Sequence, residues 1–275
     1  MNKTVLITGA SSGFGKSAAK IFAANEWNVI ATMRSPEKEE ELTALQNVLV
    51  LKLDVQDESS IKKAVSSGIA HFGAIDVLVN NAGYALRGIF ELLSSEQIKR
   101  QFDVNVFGMM AVTQAIIPHF REQGKGLIIN LSSMGGRITI PLLSLYHSTK
   151  FAVEGFTEAL SYELSALNVR VKLIEPGAAK TNFSTTSIDN VPNTIPEYDD
   201  MIKYYQENRP KITQHLSAPN ATQEEVAEVI YKAATDGTNQ LRYIIGADAD
   251  LYVNGRANSS DQEYFNLMNS YFLKP

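Results

Sequence analysis

Short runs of Val, Ile and Leu alternate with longer amphipathic segments along most of this chain. The apolar runs predict seven strands, at residues 3–8, 27–32, 48–53, 75–80, 127–132, 169–175 and 241–245. The segments between them predict helices at residues 16–25, 36–45, 58–72, 94–121, 145–167, 224–235 and 262–271. Strands that alternate with helices form an open parallel sheet, and continuous apolar strands fit a sheet buried on both faces. The alternation therefore predicts an α/β fold in which residues 1–275 form one domain around a single doubly wound parallel sheet.

The alternation breaks down between residues 178 and 221. This segment is too long for an ordinary connection, so we predict an irregular lid or binding insertion. It carries apolar side chains that include Phe183, Ile195 and Tyr205, and Leu142 and Leu143 lie upstream of it. Apolar groups near a reacting centre indicate an apolar, mid-sized ligand, but the same side chains would equally serve to pack the segment onto the domain.

Composition argues against several classes of function. The net charge is −5, with 25 basic and 30 acidic residues, which argues against a nucleic-acid-binding surface. The chain has no cysteine for disulfides or thiolate catalysis, and its four histidines show no metal-ligand spacing. No apolar run is long enough to span a membrane, and the N-terminal run is too short for a signal peptide. We therefore expect a cytoplasmic protein that binds no metal, membrane or nucleic acid.

A glycine-rich turn, Gly9-x-x-x-Gly13-x-Gly15, separates the first predicted strand from the first predicted helix. Glycines at such a turn let the backbone approach a diphosphate, whose charge is stabilised at the N-terminus of the helix. The spacing differs from the usual G-x-G-x-x-G pattern, and on its own it also fits a turn of small residues before a helix. The strand–turn–helix context favours dinucleotide binding.

The end of the second predicted strand bears on the choice of cofactor. An acidic residue there would hold the adenosine ribose hydroxyls of NAD, but the sequence Ala31-Thr32-Met33-Arg34-Ser35 contains none. Arg34 could instead bind the 2′-phosphate of NADP, or it could be a solvated loop cation. We predict NADP rather than NAD.

Three residues near the middle of the chain form a candidate proton-transfer group. Tyr146 and Lys150 are four residues apart, so a helix places them on one face, and Ser133 follows the fifth predicted strand. A free tyrosine has a pKa of about 10, and a neighbouring ammonium group lowers that pKa. On its own, such a pair more often represents an ordinary helix tyrosine and a solvated lysine. A lone serine more often binds a backbone carbonyl, and Ser132 is an alternative to Ser133.

Together these residues resemble the short-chain dehydrogenase/reductase family. The resemblance runs from Thr8 to about Thr181 and includes several motifs in family-like order. The matching residues are 8–15 for the phosphate turn, Asp54 and Val55 for the adenine contact, 80–83 after the fourth strand, Asn105, the set of Ser133, Tyr146 and Lys150, and Pro176, Gly177 and Thr181 for the nicotinamide loop. Ala179 replaces a valine of the last motif without loss of a polar group. Residues 84–91 resemble the 17β-hydroxysteroid and retinol dehydrogenase branch.

The resemblance implies a Rossmann-like fold with seven strands in the order 3-2-1-4-5-6-7, and a cofactor at the point where the strand order reverses. It also implies a homodimer or homotetramer formed through long helices at residues 95–121 and 145–167. The cofactor contacts that it implies are Gly9, Ser11, Ser12, Gly13, Phe14, Gly15, Arg34, Asp54, Val55, Asn81, Ala82, Gly83, Tyr146, Lys150, Pro176, Gly177 and Thr181.

The resemblance further implies interconversion of a primary or secondary alcohol and its carbonyl. Tyr146 would be the general acid in reduction and the general base in oxidation, while Lys150 would lower its pKa and contact the nicotinamide ribose. Ser133 would stabilise the substrate oxygen, and Asn105 would hold a water that links Lys150 to solvent. The alternatives are a non-enzymatic NADP(H)-sensing protein and an isomerase or lyase that uses the same tyrosine.

Overall fold

In the computed structural model, which describes residues 2–178, 188–213 and 220–273, the chain forms nine strands. They are β1 (Thr4–Ile7), β2 (Asn28–Met33), β3 (Val48–Lys52), β4 (Val77–Asn80), β5 (Ala85–Arg87), β6 (Gly126–Leu131), β7 (Val169–Pro176), β8 (Ile188–Asn190) and β9 (Arg242–Ile245). Seven of them form one parallel sheet in the order β3-β2-β1-β4-β6-β7-β9. β5 and β8 pair separately. Counted without that pair, the order is the predicted 3-2-1-4-5-6-7, and it reverses between β1 and β4.

Helices cover both faces of this sheet. In the described part of the chain they are α1 (Gly13–Ala24), α2 (Glu58–Phe72), α3 (Ser95–Phe102), α4 (Met109–Gln123), α5 (Ser144–Ser165), α6 (Asp199–Thr213), α7 (Gln223–Thr235), α8 (Ala247–Ala257) and α9 (Asp261–Phe272). Buried side chains of α1 and α7 form one core layer, and those of α2, α4 and α5 form the other. Neighbouring residues of a strand point to opposite faces, so Val5 and Ile7 enter the first layer and Leu6 enters the second.

The helix predicted at residues 36–45 is wrong. Only the short 3-10 turn Pro36–Lys38 forms there. The buried carboxylate of Glu39 accepts the backbone N–H of Leu42 at 3.0 Å and lies 3.1 Å from the ammonium group of Lys16. These side-chain bonds replace the backbone bonds that a helix would need, so the segment stays a series of turns.

The long helix predicted at residues 94–121 is interrupted. α3 and α4 are separated by the π-helical stretch Asp103–Gly108, which contains Asn105. A capping box forms at the start of α3, since the Ser94 side chain accepts the N–H of Gln97 and the Gln97 side chain accepts the N–H of Ser94. A π-helical stretch contains an extra residue relative to an α-helix. The apolar pattern around Asn105 does not indicate where such a stretch begins.

The segment from 178 to 221 is more regular than predicted, because it contains β8 and α6. Between residues 199 and 208 only Tyr205 is buried, so the apolar repeat that signals a helix is weak there. The Tyr205 ring packs 5.5 Å from that of Phe272, which holds α6 against α9. α8 was not predicted either. Residues 179–187 and 214–219 of the predicted lid lie outside the described residues, and its role as a lid stays a prediction.

Candidate active site

The phosphate turn lies between β1 and α1, at the carboxyl end of the sheet. Gly9 and Gly13 have φ angles of +68° and +57°, which glycine adopts without strain. α1 begins at Gly13. Its N-cap residue Ser12 makes no capping hydrogen bond within the described residues, and its first turn has no acidic residue. The backbone N–H groups at this helix end therefore suit an anionic ligand such as a diphosphate.

Thr8 and Asn81 join this turn to the segment after β4. The hydroxyl oxygen of Thr8 accepts the N–H groups of Asn81 and Ala82 at 3.0 and 3.1 Å. The Asn81 amide donates in return to the carbonyl oxygens of Thr8 and Gly9, at 2.9 and 3.0 Å. A Cβ atom on Gly15 would come within 2.5 Å of the Gly9 oxygen. The two motifs therefore form one tightly packed cradle at the reversal of strand order.

The other predicted adenosine-side contacts flank this cradle. Ser11 is exposed in the turn itself, and Phe14 is half-buried in the first turn of α1. Arg34 is exposed and directly follows β2, where a 2′-phosphate would lie in a fold of this kind. Asp54 and Val55 follow β3, and the Val55 side chain is buried. All five belong to segments that follow β1, β2 or β3, at the carboxyl end of the sheet.

Asn105 connects the π-helical stretch to the start of α5. Its amide nitrogen donates to the Tyr84 carbonyl at 2.8 Å and to the Thr149 hydroxyl at 3.2 Å. Its amide oxygen accepts the Tyr84 N–H at 3.0 Å, and a Cβ atom on Gly83 would lie 3.2 Å from that oxygen. Both amide donors are therefore used within the protein, which gives Asn105 a clear structural role. Its role in holding a water stays a prediction.

The structure brings Ser133, Tyr146 and Lys150 together. Ser133 lies two residues after β6, and its hydroxyl donates to the Pro176 carbonyl at 3.3 Å and is hydrogen-bonded to the Tyr146 phenol. Tyr146 is in the first turn of α5, with Lys150 one turn further on. The Lys150 ammonium nitrogen donates to the Leu131 carbonyl at 2.7 Å and lies 5.7 Å from the centroid of the Tyr146 ring. A strand end and a helix face thus meet as the sequence predicts.

The electrostatics of this group differ from the prediction. Burial raises the pKa of Tyr146 to about 12, although its hydrogen bond with Ser133 acts in the opposite direction. The lowering of that pKa by Lys150 stays a prediction, because the ammonium group is directed at the Leu131 carbonyl and burial dominates in this arrangement. Burial also lowers the pKa of Lys150 to about 8, and the charge of Glu154 partly offsets that effect.

His147 positions the segment that follows Ser133, a role that the sequence analysis missed. Its Nδ1–H donates to the Gly135 carbonyl at 2.8 Å, and its Nε2 accepts the N–H of Ile140 at 3.1 Å. Only the neutral ring with this tautomer satisfies both bonds, and burial lowers the His147 pKa accordingly. In the sequence, only the position of His147 next to Tyr146 could have indicated this role. Its hydrogen-bond partners are backbone groups, which folding brings near the ring.

The predicted nicotinamide loop begins at the end of β7. Pro176 closes the strand, and the N–H of Ala178 donates to the Asp248 carboxylate at 2.7 Å. A Cβ atom on Gly177 would collide with the same carboxyl group, which explains the glycine. Asp248, buried at the start of α8, is a second positioning residue that the sequence analysis missed. Thr181 lies outside the described residues.

Two further features of the described residues bear on the predicted partners. No group of three or more His, Asp or Glu side chains there is arranged to hold a metal ion. None of the helices in that part of the chain is long and apolar enough to cross a membrane.

The chain is similar to known proteins over most of its length. The sequence model of the family described as short chain dehydrogenase matches residues 3–191. An uncharacterized oxidoreductase of Schizosaccharomyces pombe is 46% identical over 215 residues, which cover 78% of this chain and 88% of the relative. An NADP-dependent 3-hydroxy acid dehydrogenase of the same organism is 36% identical, with 86% of this chain and 88% of the relative covered.

Solved structures agree with these relatives. A crystal structure of a short-chain dehydrogenase from Streptomyces avermitilis superimposes with a TM-score of 0.83. It is 30% identical in sequence, and the match covers 98% of this chain and 97% of the other. The fold, the order of the motifs and these similarities lead to one conclusion: the chain belongs to the short-chain dehydrogenase family and is an oxidoreductase of that family.

Proposed function

We propose that the protein is an NADP(H)-dependent oxidoreductase that interconverts a primary or secondary alcohol and its carbonyl. The observation that carries this proposal is the convergence of Ser133, Tyr146 and Lys150 at the carboxyl end of the sheet. They lie on the segments after β6 and on α5, at the same end of the sheet as the phosphate turn after β1. A protein that only sensed a cofactor would have no need of the three side chains.

The residues of the cradle fit a dinucleotide. Gly9 and Gly15 allow the close packing of the cradle, Gly13 faces open space, and the uncapped N-terminus of α1 suits the charge of a diphosphate. Asn81 shapes the cradle from the other side, and Lys150 would bind the nicotinamide ribose. A bound nicotinamide would supply or accept the hydride at the substrate carbon.

The protein's own groups would handle the substrate oxygen. The raised pKa keeps the Tyr146 phenol protonated at neutral pH, which is the form needed to donate a proton to a carbonyl oxygen during reduction. Ser133 shares a hydrogen bond with that phenol and would bind the same oxygen, where negative charge develops. Lys150 and Asn105 hold α5 to β6 and to the π-helical stretch, so they keep the phenol in place.

The preference for NADP rests on Arg34. It is exposed directly after β2, and a guanidinium group binds a phosphate through two hydrogen bonds. A relative with 36% identity is described as NADP-dependent, which supports the same choice. We expect NADPH to bind more tightly than NADH, and Arg34→Ala to remove the difference while Arg121→Ala, on the exposed end of α4, does not. Equal affinities that Arg34→Ala leaves unchanged would contradict the proposal.

We infer an apolar substrate from the surroundings of Ser133 and Tyr146. Met134, Ile140 and Leu142 lie between Ser133 and Tyr146 along the chain, are half-buried, and pack against the cluster that joins α6, α8 and α9. Their side chains provide an apolar wall near the reacting oxygen, as is common for ligand pockets.

We also propose a homodimer or homotetramer. Phe107 and Phe151 expose large apolar surfaces on the π-helical stretch and α5. Such surfaces mark interaction sites when they are grouped. Analytical ultracentrifugation should show an assembly larger than a monomer, and Phe151→Lys should weaken it.

The decisive experiment measures the loss of NADPH absorbance with a panel of apolar aldehydes and ketones. Wild type should turn over, and Tyr146→Phe should lose about 10²–10⁴-fold in kcat because the proton donor is gone. Tyr162→Phe is the matched control, since that tyrosine is exposed on the same helix. Turnover that survives Tyr146→Phe would refute the proton donor. Tight NADPH binding without turnover on the whole panel would instead favour a sensor.

A further inference from the structure

Two buried carboxyl groups behind Lys150 have no part in the chemistry proposed above. Glu154 is one helical turn after Lys150 on α5, and Glu175 is the residue before Pro176 in β7. Glu175 is 0% exposed and Glu154 is 5% exposed. Acidic side chains are almost never buried so completely unless they are paired, so their partners need to be identified.

One guanidinium group reaches both carboxyl groups. Arg242 Nε lies 3.2 Å from Glu154 Oε2 and 3.2 Å from Glu175 Oε1. The Arg242 Nε–H donates to Glu154. Glu175 therefore has a charge contact with Arg242 but accepts no aligned hydrogen bond from it. Arg137 is farther away, with Nη1 3.6 Å from Glu175 Oε1. Glu154 therefore accepts an aligned hydrogen bond from a cation, whereas Glu175 has only charge contacts.

Three oxygens of the pair have no hydrogen-bond donor. Glu154 Oε1 and both oxygens of Glu175 are buried and accept no hydrogen bond from the described part of the chain. An ionised carboxylate can only accept, whereas a protonated carboxyl group also donates. A proton on one group would therefore turn an unpaired acceptor into a donor for its neighbour, and it would remove one buried charge.

We propose that Glu154 and Glu175 share a single proton, held mainly by Glu175, and that the remaining Glu154 carboxylate keeps Lys150 charged. The charged groups that face the pair are Lys150 and Glu158 from α5, Arg137 from the turn after β6, and Arg242 from β9. Both glutamates act through Lys150 and are therefore positioning residues. The effect on turnover rests on the proposed function, but the shared proton does not.

The electrostatics of the cluster agree with this geometry. Burial and the charge of Glu154 raise the pKa of Glu175 well above its usual range, against the opposing effects of Arg137 and Arg242. Burial lowers the pKa of Lys150 to about 8, and the negative charge of Glu154 acts in the opposite direction. Without that charge, the lysine would lose its proton at a lower pH.

The first test needs no turnover. Infrared spectra of the cofactor-free protein near neutral pH should contain the carbonyl-stretch band of a protonated carboxylic acid. Glu175→Gln should remove it, and so should Glu154→Gln, because Glu175 then ionises beside Arg242. Glu163→Gln, an exposed glutamate on the same helix, should retain it. A wild-type spectrum without the band, or a band that survives in Glu175→Gln, would overturn the proposal.

If Glu175→Gln fails to fold, the wild-type protein labelled with ¹³C in its glutamate side chains still decides the matter. A buried carboxyl carbon whose chemical shift titrates near or above neutral pH supports the shared proton. Glutamate signals that all titrate in the ordinary acidic range contradict it.

The second test measures the pH dependence of NADPH-dependent reduction. Glu154→Gln should shift the alkaline limit of kcat downward by about 1 pH unit, as expected when one nearby charge is lost. Glu175→Gln should leave that limit in place, because a glutamine mimics the protonated acid. An equal downward shift in both variants would show that Glu175 is ionised and overturn the proposal. If the wild type turns over no substrate, the proposed function fails, while the infrared and ¹³C measurements still test the shared proton.

Discussion

The ammonium nitrogen of Lys150 lies 5.7 Å from the centroid of the Tyr146 ring and donates a 2.7 Å hydrogen bond to the carbonyl oxygen of Leu131. This one side chain therefore ties the first two turns of α5 to the end of β6. Because the lysine is buried, the protein keeps a positive charge in a position where the fold would be more stable without one.

Replacement of Lys150 by Met should abolish turnover and raise the free energy of unfolding at pH 7 by about 1–3 kcal/mol. The pKa of Lys150 is about 8 in the folded protein, below its usual 10.5, so the unfolded chain holds the proton more tightly. The resulting cost is fully present below about pH 8 and disappears as the pH rises towards 10.5. Urea unfolding should therefore show a smaller gain at pH 10 than at pH 7.

The exposed Lys63 on α2 provides the control, since Lys63→Met should change stability little at either pH. A Lys150→Met variant that is less stable than wild type at pH 7 would show that the hydrogen bond to Leu131 outweighs the burial of the charge.

Ser133→Ala should lower kcat/KM by about 10²–10³-fold, because the substrate oxygen loses a donor where charge develops. Ser132→Ala is the matched control. Its hydroxyl is buried and has no hydrogen-bond partner among the described residues, so activity should remain and stability should stay equal or rise slightly. Steady-state kinetics with NADPH measure both variants. A large loss of kcat/KM in Ser132→Ala together with little loss in Ser133→Ala would show instead that Ser132 binds the substrate oxygen.

His147→Ala should destabilise the protein by about 2–3 kcal/mol, because it leaves the Gly135 carbonyl and the Ile140 N–H without their partner. The variant should also raise KM, since the apolar segment after Ser133 loses its anchor. The pKa of His147 is lowered in the folded protein, so wild type should lose stability as the pH falls below about 6.5, where the unfolded chain takes up the proton.

Urea unfolding between pH 5 and pH 7 measures this dependence. The His147→Ala variant should show a smaller decrease than wild type, whereas His71→Gln, at an exposed position near the end of α2, should behave as wild type does. An unchanged pH dependence in His147→Ala would mean that other groups cause the acid sensitivity.

Gly15→Ala should abolish NADPH binding and destabilise the protein, since the new Cβ atom would lie 2.5 Å from the Gly9 carbonyl oxygen. Gly155→Ala is the control on another helix. A Cβ atom there meets nothing within 4 Å, so this variant should bind NADPH normally and gain about 0.5–1 kcal/mol of stability. Calorimetric titration with NADPH and thermal unfolding test the pair. Normal binding by Gly15→Ala would show that the cradle tolerates a side chain.

The seven strands of the central sheet and their order were predictable, because apolar runs such as Val77–Asn80 and Gly126–Leu131 signal burial directly and the family resemblance supplies the topology. Two of the errors about helices have local causes. Glu39 satisfies the backbone of Leu42 where a helix was expected, and α6 buries Tyr205 alone between residues 199 and 208. The first effect leaves the apolar repeat by which helices are recognised unchanged, and in the second case that repeat is too weak to signal a helix.

The members of the candidate site follow from local sequence alone. Tyr146 and Lys150 share a helix face because of their spacing, and Ser133 follows a buried strand, so both kinds of information are local. The charges of these side chains and the contacts that support them depend on groups distant along the chain, so they could be assigned only in the folded protein. Burial set the direction of the Tyr146 pKa, and Arg242 joined Glu154 to Glu175 behind the lysine. Spacing thus determines which side chains can meet, while desolvation in the packed fold determines which of them carry a proton.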